Sequence, residues 1–190
     1  MTVPRRGSGI LELAAASSDA AAARALAERC GGVLYTDDRP DARGLPFRAL
    51  VTVIADNPDA VRSAGDVGTY LVCRRLMKAG EAGMIGLFPM VRAATLSHEA
   101  ADVHWRDVHA PLALKHHGFM THYTQLSVVE NLSGLPLDGF ALCGFATLED
   151  LRQRFYSTAD GPEVIAADVA RFADPRRSPR RLIVREERFG

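Results

Sequence analysis

The sequence predicts an α+β fold in which two successive βαββαβ repeats form an α+β barrel with antiparallel sheets. Three observations lead there. Apolar runs of strand length alternate with helical stretches in the order strand, helix, strand, strand, helix, strand, and that order occurs twice in 190 residues. Turn residues rich in Gly, Pro, Asn and Asp separate the runs. A four-stranded antiparallel sheet with only two helices leaves one face bare, so the bare faces of two such units must meet, within one chain or between two.

In the first repeat, Gly9 to Ala15 reads as a strand, and Ser18 or Asp19 caps a helix from Ala20 to Arg29 that stops at Cys30-Gly31-Gly32. Val33 to Thr36 is a short strand, Asp37 to Pro46 a loop, and Arg48 to Ala55 a strand buried on both faces. Asn57-Pro58-Asp59 starts a short helix, Thr69 to Leu76 is the fourth strand, and Lys78 to Glu81 makes a turn. The second repeat opens with a strand from Met84 to Ala94 and a helix from Ser97 to His109. Pro111 is expected to break that helix at His109 and to start a second one that runs to His117. Met120 to Glu130 and Phe140 to Ala146 are strands, Leu148 to Phe155 and the stretch from Pro162 to Phe172 are helical, and Leu182 to Phe189 is the last strand. This is the ferredoxin-like order in each half, divided at residues 1–83 and 84–190. Sheet packed on sheet leaves an apolar cavity between them suited to a small ligand.

Composition narrows the partners. Hydrophobic residues make up 47% of the chain, and 23 Lys and Arg balance 23 Asp and Glu, so no net field draws nucleic acid or an anionic membrane. Glu12, Ser17, Ser18 and Asp19 interrupt the Ala-rich run near the start, which argues against a secretory signal, and no apolar stretch is long enough to span a bilayer. Three separated cysteines suggest reduced thiols. A cytoplasmic protein with a small, hydrophobic partner is the expectation.

All six histidines fall between His98 and His122, together with the only tryptophan, in the run His104-Trp105-Arg106-Asp107-Val108-His109-Ala110-Pro111-Leu112. Imidazole is the side chain that titrates nearest neutrality, so proton transfer is to be sought here. Asp102, Trp105 and His109 share a helical face. Asp102, Asp107 and Arg106 each compete as the partner of His109, and spacing does not choose among them. His116, His117 and His122 could join His109 around a metal or haem, but adjacent histidines diverge on a helix and no HExxH occurs, so no metal is expected. On the strand after the helix, Tyr123 and His122 alternate, and Tyr123 is the choice to donate to a substrate oxygen. The Arg176-Arg177 and Arg180-Arg181 pairs read as a solvated loop. Nucleotide-binding and serine-hydrolase motifs are absent from the sequence.

The same run, followed by Tyr123, Asp138-Gly139-Phe140 and Glu186-Glu187, resembles the EthD family of dimeric α+β barrel proteins. The resemblance covers Met84 to Gly190. It implies a barrel whose helix histidine, here His109, faces a cavity, with Trp105 at the aromatic position, and it implies degradative oxidation or the tailoring of aromatic polyketides. Residues 1–83 have no equivalent histidine motif, so one site per chain at most is expected. We take His109, Tyr123 and Asp107 as candidate catalytic residues, and Trp105, His104, Leu112, His116 and Phe140 as candidate substrate contacts. The expected activity is acid–base catalysis by His109 without an organic cofactor, as an oxygenase of the cofactor-free type or a lyase, cyclase or isomerase, in a homodimer. The alternative is a ligand-binding accessory to an oxygenase.

Overall fold

A computed structural model describes residues 5–6, 9–37, 39, 44–55 and 57–190. Nine strands and six α-helices follow in the order β1 (Arg5–Arg6), β2 (Gly9–Ser17), α1 (Ala20–Cys30), β3 (Val33–Thr36), β4 (Ala49–Val53), α2 (Asp59–Arg62), β5 (Gly68–Lys78), β6 (Met84–Met90), α3 (His98–His104), a π turn (Trp105–His109), α4 (Ala110–His116), β7 (Met120–Gly134), β8 (Gly139–Phe145), α5 (Leu148–Gln153), α6 (Gly161–Phe172) and β9 (Leu182–Arg188). Part of the loop expected from Asp37 to Pro46 lies outside the described residues.

The sheet runs β2-β4-β3-β9-β6-β8-β7-β5 and closes on itself through β2 and β5, with β1 appended to β2. Every pairing is antiparallel. Within β2 to β5, and again within β6 to β9, the neighbours follow the ferredoxin-like order, fourth strand, first, third, second. The two units join at β3·β9 and β5·β7, so the α+β barrel closes within one chain. Register shifts in the β5·β7 ladder accompany the curvature of the 15-residue β7.

Local chemistry sets the element ends. Asp19 accepts from the amides of Ala21 (2.8 Å) and Ala22 (3.3 Å), which satisfies two donors of the first turn of α1, and Gly31 at φ 64° closes its C-terminus in the left-handed region. Asp19→Ala is expected to cost about 1 kcal/mol, read as a lowered midpoint in urea.

Among the described residues, side chains occupy the space between the sheets where the cavity was expected. Tyr35, Phe47, Tyr70 and Phe140 fill the barrel interior together with Leu50, Leu87, Leu126 and Leu142, all almost fully buried. Phe140 meets Tyr70 edge-on at 5.3 Å and Phe47 at 6.3 Å. Strand alternation explains the outcome: Phe140 and Leu142 face inward, so Ala141 and Cys143 face the helices. Phe140 therefore belongs to the core and not to a ligand site.

The candidate active site

The predicted helix break is also absent. Backbone dihedrals stay right-handed from His104 through Ala110, and the ladder widens by one residue, the Ala110 amide bonding the Trp105 carbonyl. Pro111 has no amide to give, so the turn before it is where an α-helix has least to lose by opening into a π turn. His109 thus sits inside one continuous helix.

A polar row on β7 catches this helix. Tyr123, Gln125 and Ser127 point to one face at period two. Ser127 hydroxyl donates to Asp102, which also binds Arg75 of β5 in a bidentate ion pair. Gln125 Nε2 donates to the Trp105 carbonyl (3.0 Å) and to the Tyr123 hydroxyl (3.1 Å), and Trp105 Nε1 donates to the same hydroxyl (3.1 Å). With both lone pairs of Tyr123 occupied, its own hydrogen is left to donate elsewhere, and no acceptor for it occurs among the described residues. Burial pushes the Tyr123 phenol well above its ordinary value, so it stays a neutral donor. Gly139 makes room for Trp105: a Cβ there would lie 2.6 Å from Cζ3 of the indole. Gly139→Ala should cost about 1–3 kcal/mol and shift the Trp105 emission, and an unchanged spectrum would show that the indole is not held there.

The partner of His109 is Asp168 of α6, not Asp107. Nδ1 of His109 donates to one carboxylate oxygen (2.8 Å) and Nε2 of His104 donates to the other (2.9 Å). Phe172, one turn on, packs on both imidazoles at 5.0 and 5.3 Å. Burial pushes the Asp168 carboxyl up, but the two imidazole hydrogen bonds outweigh it and hold the group below the ordinary carboxylate value. Burial pushes His109 below its ordinary value, more than Asp168 raises it. At neutral pH His109 is therefore unprotonated at Nε2, which has no hydrogen-bond partner among the described residues. Asp107, two residues from His109, lies on another side of the helix, exposed and paired with Arg106.

His109 lines an apolar cavity of about 400 Å³ between the outer face of β6, β7 and β8 and the helices α4 and α6. Trp105, His109 and Tyr123 line it with Ala141, Cys143, Phe155 and Phe172. The other candidates stand outside the lining. His104 holds Asp168, Leu112 of α4 is partly buried against the apolar cluster that includes Met120 and Phe145, and His116 is buried against Thr158 (2.6 Å). His117 lines the cavity instead, its Nδ1 donating to the Phe155 carbonyl at 2.7 Å and its pKa lowered by burial. Among the described residues, no cluster of His, Cys, Asp or Glu fits a metal ion, and no helix is long and apolar enough to cross a membrane.

Sequence reasoning missed Asp168 and His117. Asp168 left a signal, since Ile165, Asp168 and Phe172 form the buried stripe of α6, and an acid on an apolar stripe needs a partner. Sequence reasoning weighs His117 only as a metal or haem ligand, and its signal is its place in the histidine window.

Among solved structures, a "putative monooxygenase" from Lactobacillus acidophilus NCFM matches with a TM-score of 0.53 over 94% of each chain, at 9% identity, a likeness of fold alone. No protein of curated function matches the sequence. The family model of the EthD domain matches residues 93–176, a span that holds the π turn, β7 and the helix supplying Asp168. The segment that carries the imidazole–carboxylate pair is thus the part of the chain that is similar to the EthD domain.

Proposed function

We propose that this chain is an EthD-domain enzyme that acts on a small hydrophobic ring compound of the aromatic or polyketide type, without an organic cofactor. His109 is the base, Asp168 its positioning residue, Tyr123 the donor to a substrate oxygen, and Trp105 a flat wall. The observation that carries the reading is an Nδ1-anchored imidazole with a bare Nε2 at the wall of an apolar cavity. In the reaction, Nε2 takes a proton from a carbon beside a carbonyl or from a phenol. The C–H or O–H electron pair passes to the substrate oxygen, where the Tyr123 hydroxyl donates, and Asp168 stabilises the imidazolium. The resulting enolate adds dioxygen as co-substrate, cyclises, expels a β-hydroxyl as water with the imidazolium proton, or takes that proton back at a ring carbon that bears a carboxylate, whose C–C pair then passes into the restored carbonyl as carbon dioxide leaves. Each outcome begins with the same transfer.

The first repeat, 1–83, is in this reading a scaffold, and the second, 84–190, carries the one site. A homodimer, if formed, uses outer surfaces, because the barrel closes without a second copy.

Hydrogen–deuterium exchange tests the shared first step. Anthrones and ring ketones with acidic C–H bonds are incubated with the protein in D2O, and label uptake is followed by mass spectrometry. Uptake well above the buffer rate is expected. His109 titrates below 6.5 in the folded chain, so the rate should be flat through neutrality and fall only on the acid side of about 6.5, as Nε2 gains a proton. Saturable quenching of Trp105 without exchange would overturn catalysis and leave a carrier.

A further inference from the structure

His117 ends the helix that carries His109 and lines the same cavity, 4% exposed. Two aromatic rings from the segment after α5 pack on it, Phe155 edge-on at 4.4 Å and Tyr156 tilted at 5.0 Å. The Phe155 carbonyl meets Nδ1 at 2.7 Å, and a carbonyl only accepts, so the hydrogen of the neutral imidazole is on Nδ1. Nε2 is then an acceptor, and it has no hydrogen-bond partner among the described residues. The two nitrogens of one ring point well apart, so the group that holds the first does not serve the second.

The two cavity histidines differ in what stands behind them. Nδ1 of His109 rests on the carboxylate of Asp168, and Nδ1 of His117 on a neutral carbonyl. A carboxylate stabilises an imidazolium and a carbonyl does so far less, so His109 is the one to carry a proton. Burial lowers the pKa of His117 more than the Phe155 carbonyl raises it, and charge on His109 or His116 would lower it further. His117 therefore stays a neutral acceptor. The two also stand apart: His109 packs on Phe172 and His117 on Phe155, eight residues further along the helix, a rise of about 12 Å.

Resting on the reading of the cavity as a ring-binding site, we infer that the substrate carries a hydroxyl at the end of its ring system remote from the reacting position, and that His117 selects it by accepting that hydroxyl's hydrogen at Nε2. The physical reason is that a buried acceptor without a donor costs free energy, which a ligand O–H returns and a bare ring edge does not. In an apolar pocket a few placed polar atoms fix which ligand enters and how it lies. His117 is then a specificity-determining residue, which sets the edge of the ring that meets His109.

The test compares 2-naphthol with 2,6- and 2,7-dihydroxynaphthalene, titrated at pH 7 by quenching of Trp105. Wild type should bind one of the two diols about three- to tenfold more tightly than 2-naphthol. The ether 6-methoxy-2-naphthol, which has the second oxygen without its hydrogen, should gain nothing. H117N, whose amide nitrogen takes the place of Nδ1 and can still donate to the Phe155 carbonyl, should lose the preference and keep its affinity for 2-naphthol. H117Q, whose amide oxygen falls near the position of Nε2, should recover part of it. Circular dichroism shows that each variant is folded. Equal binding of 2-naphthol and both diols by wild type, an equal gain for the ether, or a preference that survives in H117N overturns the role of His117 and leaves the ring-binding cavity in place. If none of the probes binds, the cavity reading fails, and this inference fails with it.

Discussion

His109→Ala is expected to lower kcat about 10²- to 10⁴-fold on any ring compound the protein turns over, with the fold intact. The side chain is 10% exposed and its partner, Asp168, stays bonded to His104, so its loss does not strand the carboxylate without a donor. Asp168→Asn should also slow the reaction strongly, because the imidazole loses the group that fixes its tautomer and stabilises its charged form. The two changes differ in one readout. Asp168 raises the pKa of His109 against the effect of burial, so removing the carboxylate charge moves the acid limb of the pH profile further down. If the residues act as a unit, the double variant is no slower than His109→Ala alone. Additive losses, or full activity in His109→Ala, would take the pair out of the mechanism.

Phe140→Ala is expected to destabilise the protein by about 3–5 kcal/mol, measured by urea unfolding. The ring is fully buried in the barrel interior and shares edge-on contacts with Tyr70 and Phe47. Its removal leaves a hole that the hydrogen-bonded ring of strands cannot collapse to fill. Because Phe140 faces away from the cavity, the folded fraction should bind 2-naphthol as wild type does. Weakened binding without loss of stability would return Phe140 to the list of ligand contacts.

The order of elements was legible because each signal is local. Asp19 caps α1 where it was expected, Val33–Thr36 is a strand to the residue, and β4 is buried on both faces. The histidine window also marked the site, since Trp105 and His109 both line the cavity. What escaped was decided across the fold. Nothing near His109 in sequence distinguishes Asp107 from Asp168, 59 positions away, because only tertiary packing lays α6 beside the π turn. Pro111 reads locally as a helix breaker, yet a π turn absorbs its missing amide without redirecting the chain. Alternation in β8 shows that Phe140 and Ala141 face opposite ways, but not which way is inward. The position of the cavity followed from that unknown: aromatic side chains closed the space between the sheets, and the opening moved beneath the helices.

The place of β9 between β3 and β6 governs how this protein comes into being. Tyr35 pairs with Glu186 and Thr36 with Arg185, partners about 150 residues apart in the chain. A nascent chain emerging from the ribosome makes β3 early and must hold that edge, and the edge of β6, unsatisfied until β9 has been synthesised. The long wait makes folding slow and leaves two sticky borders open to other chains in the meantime. Ring closure is thus a late event in the life of each molecule, and the molecules most exposed to aggregation are those still being translated.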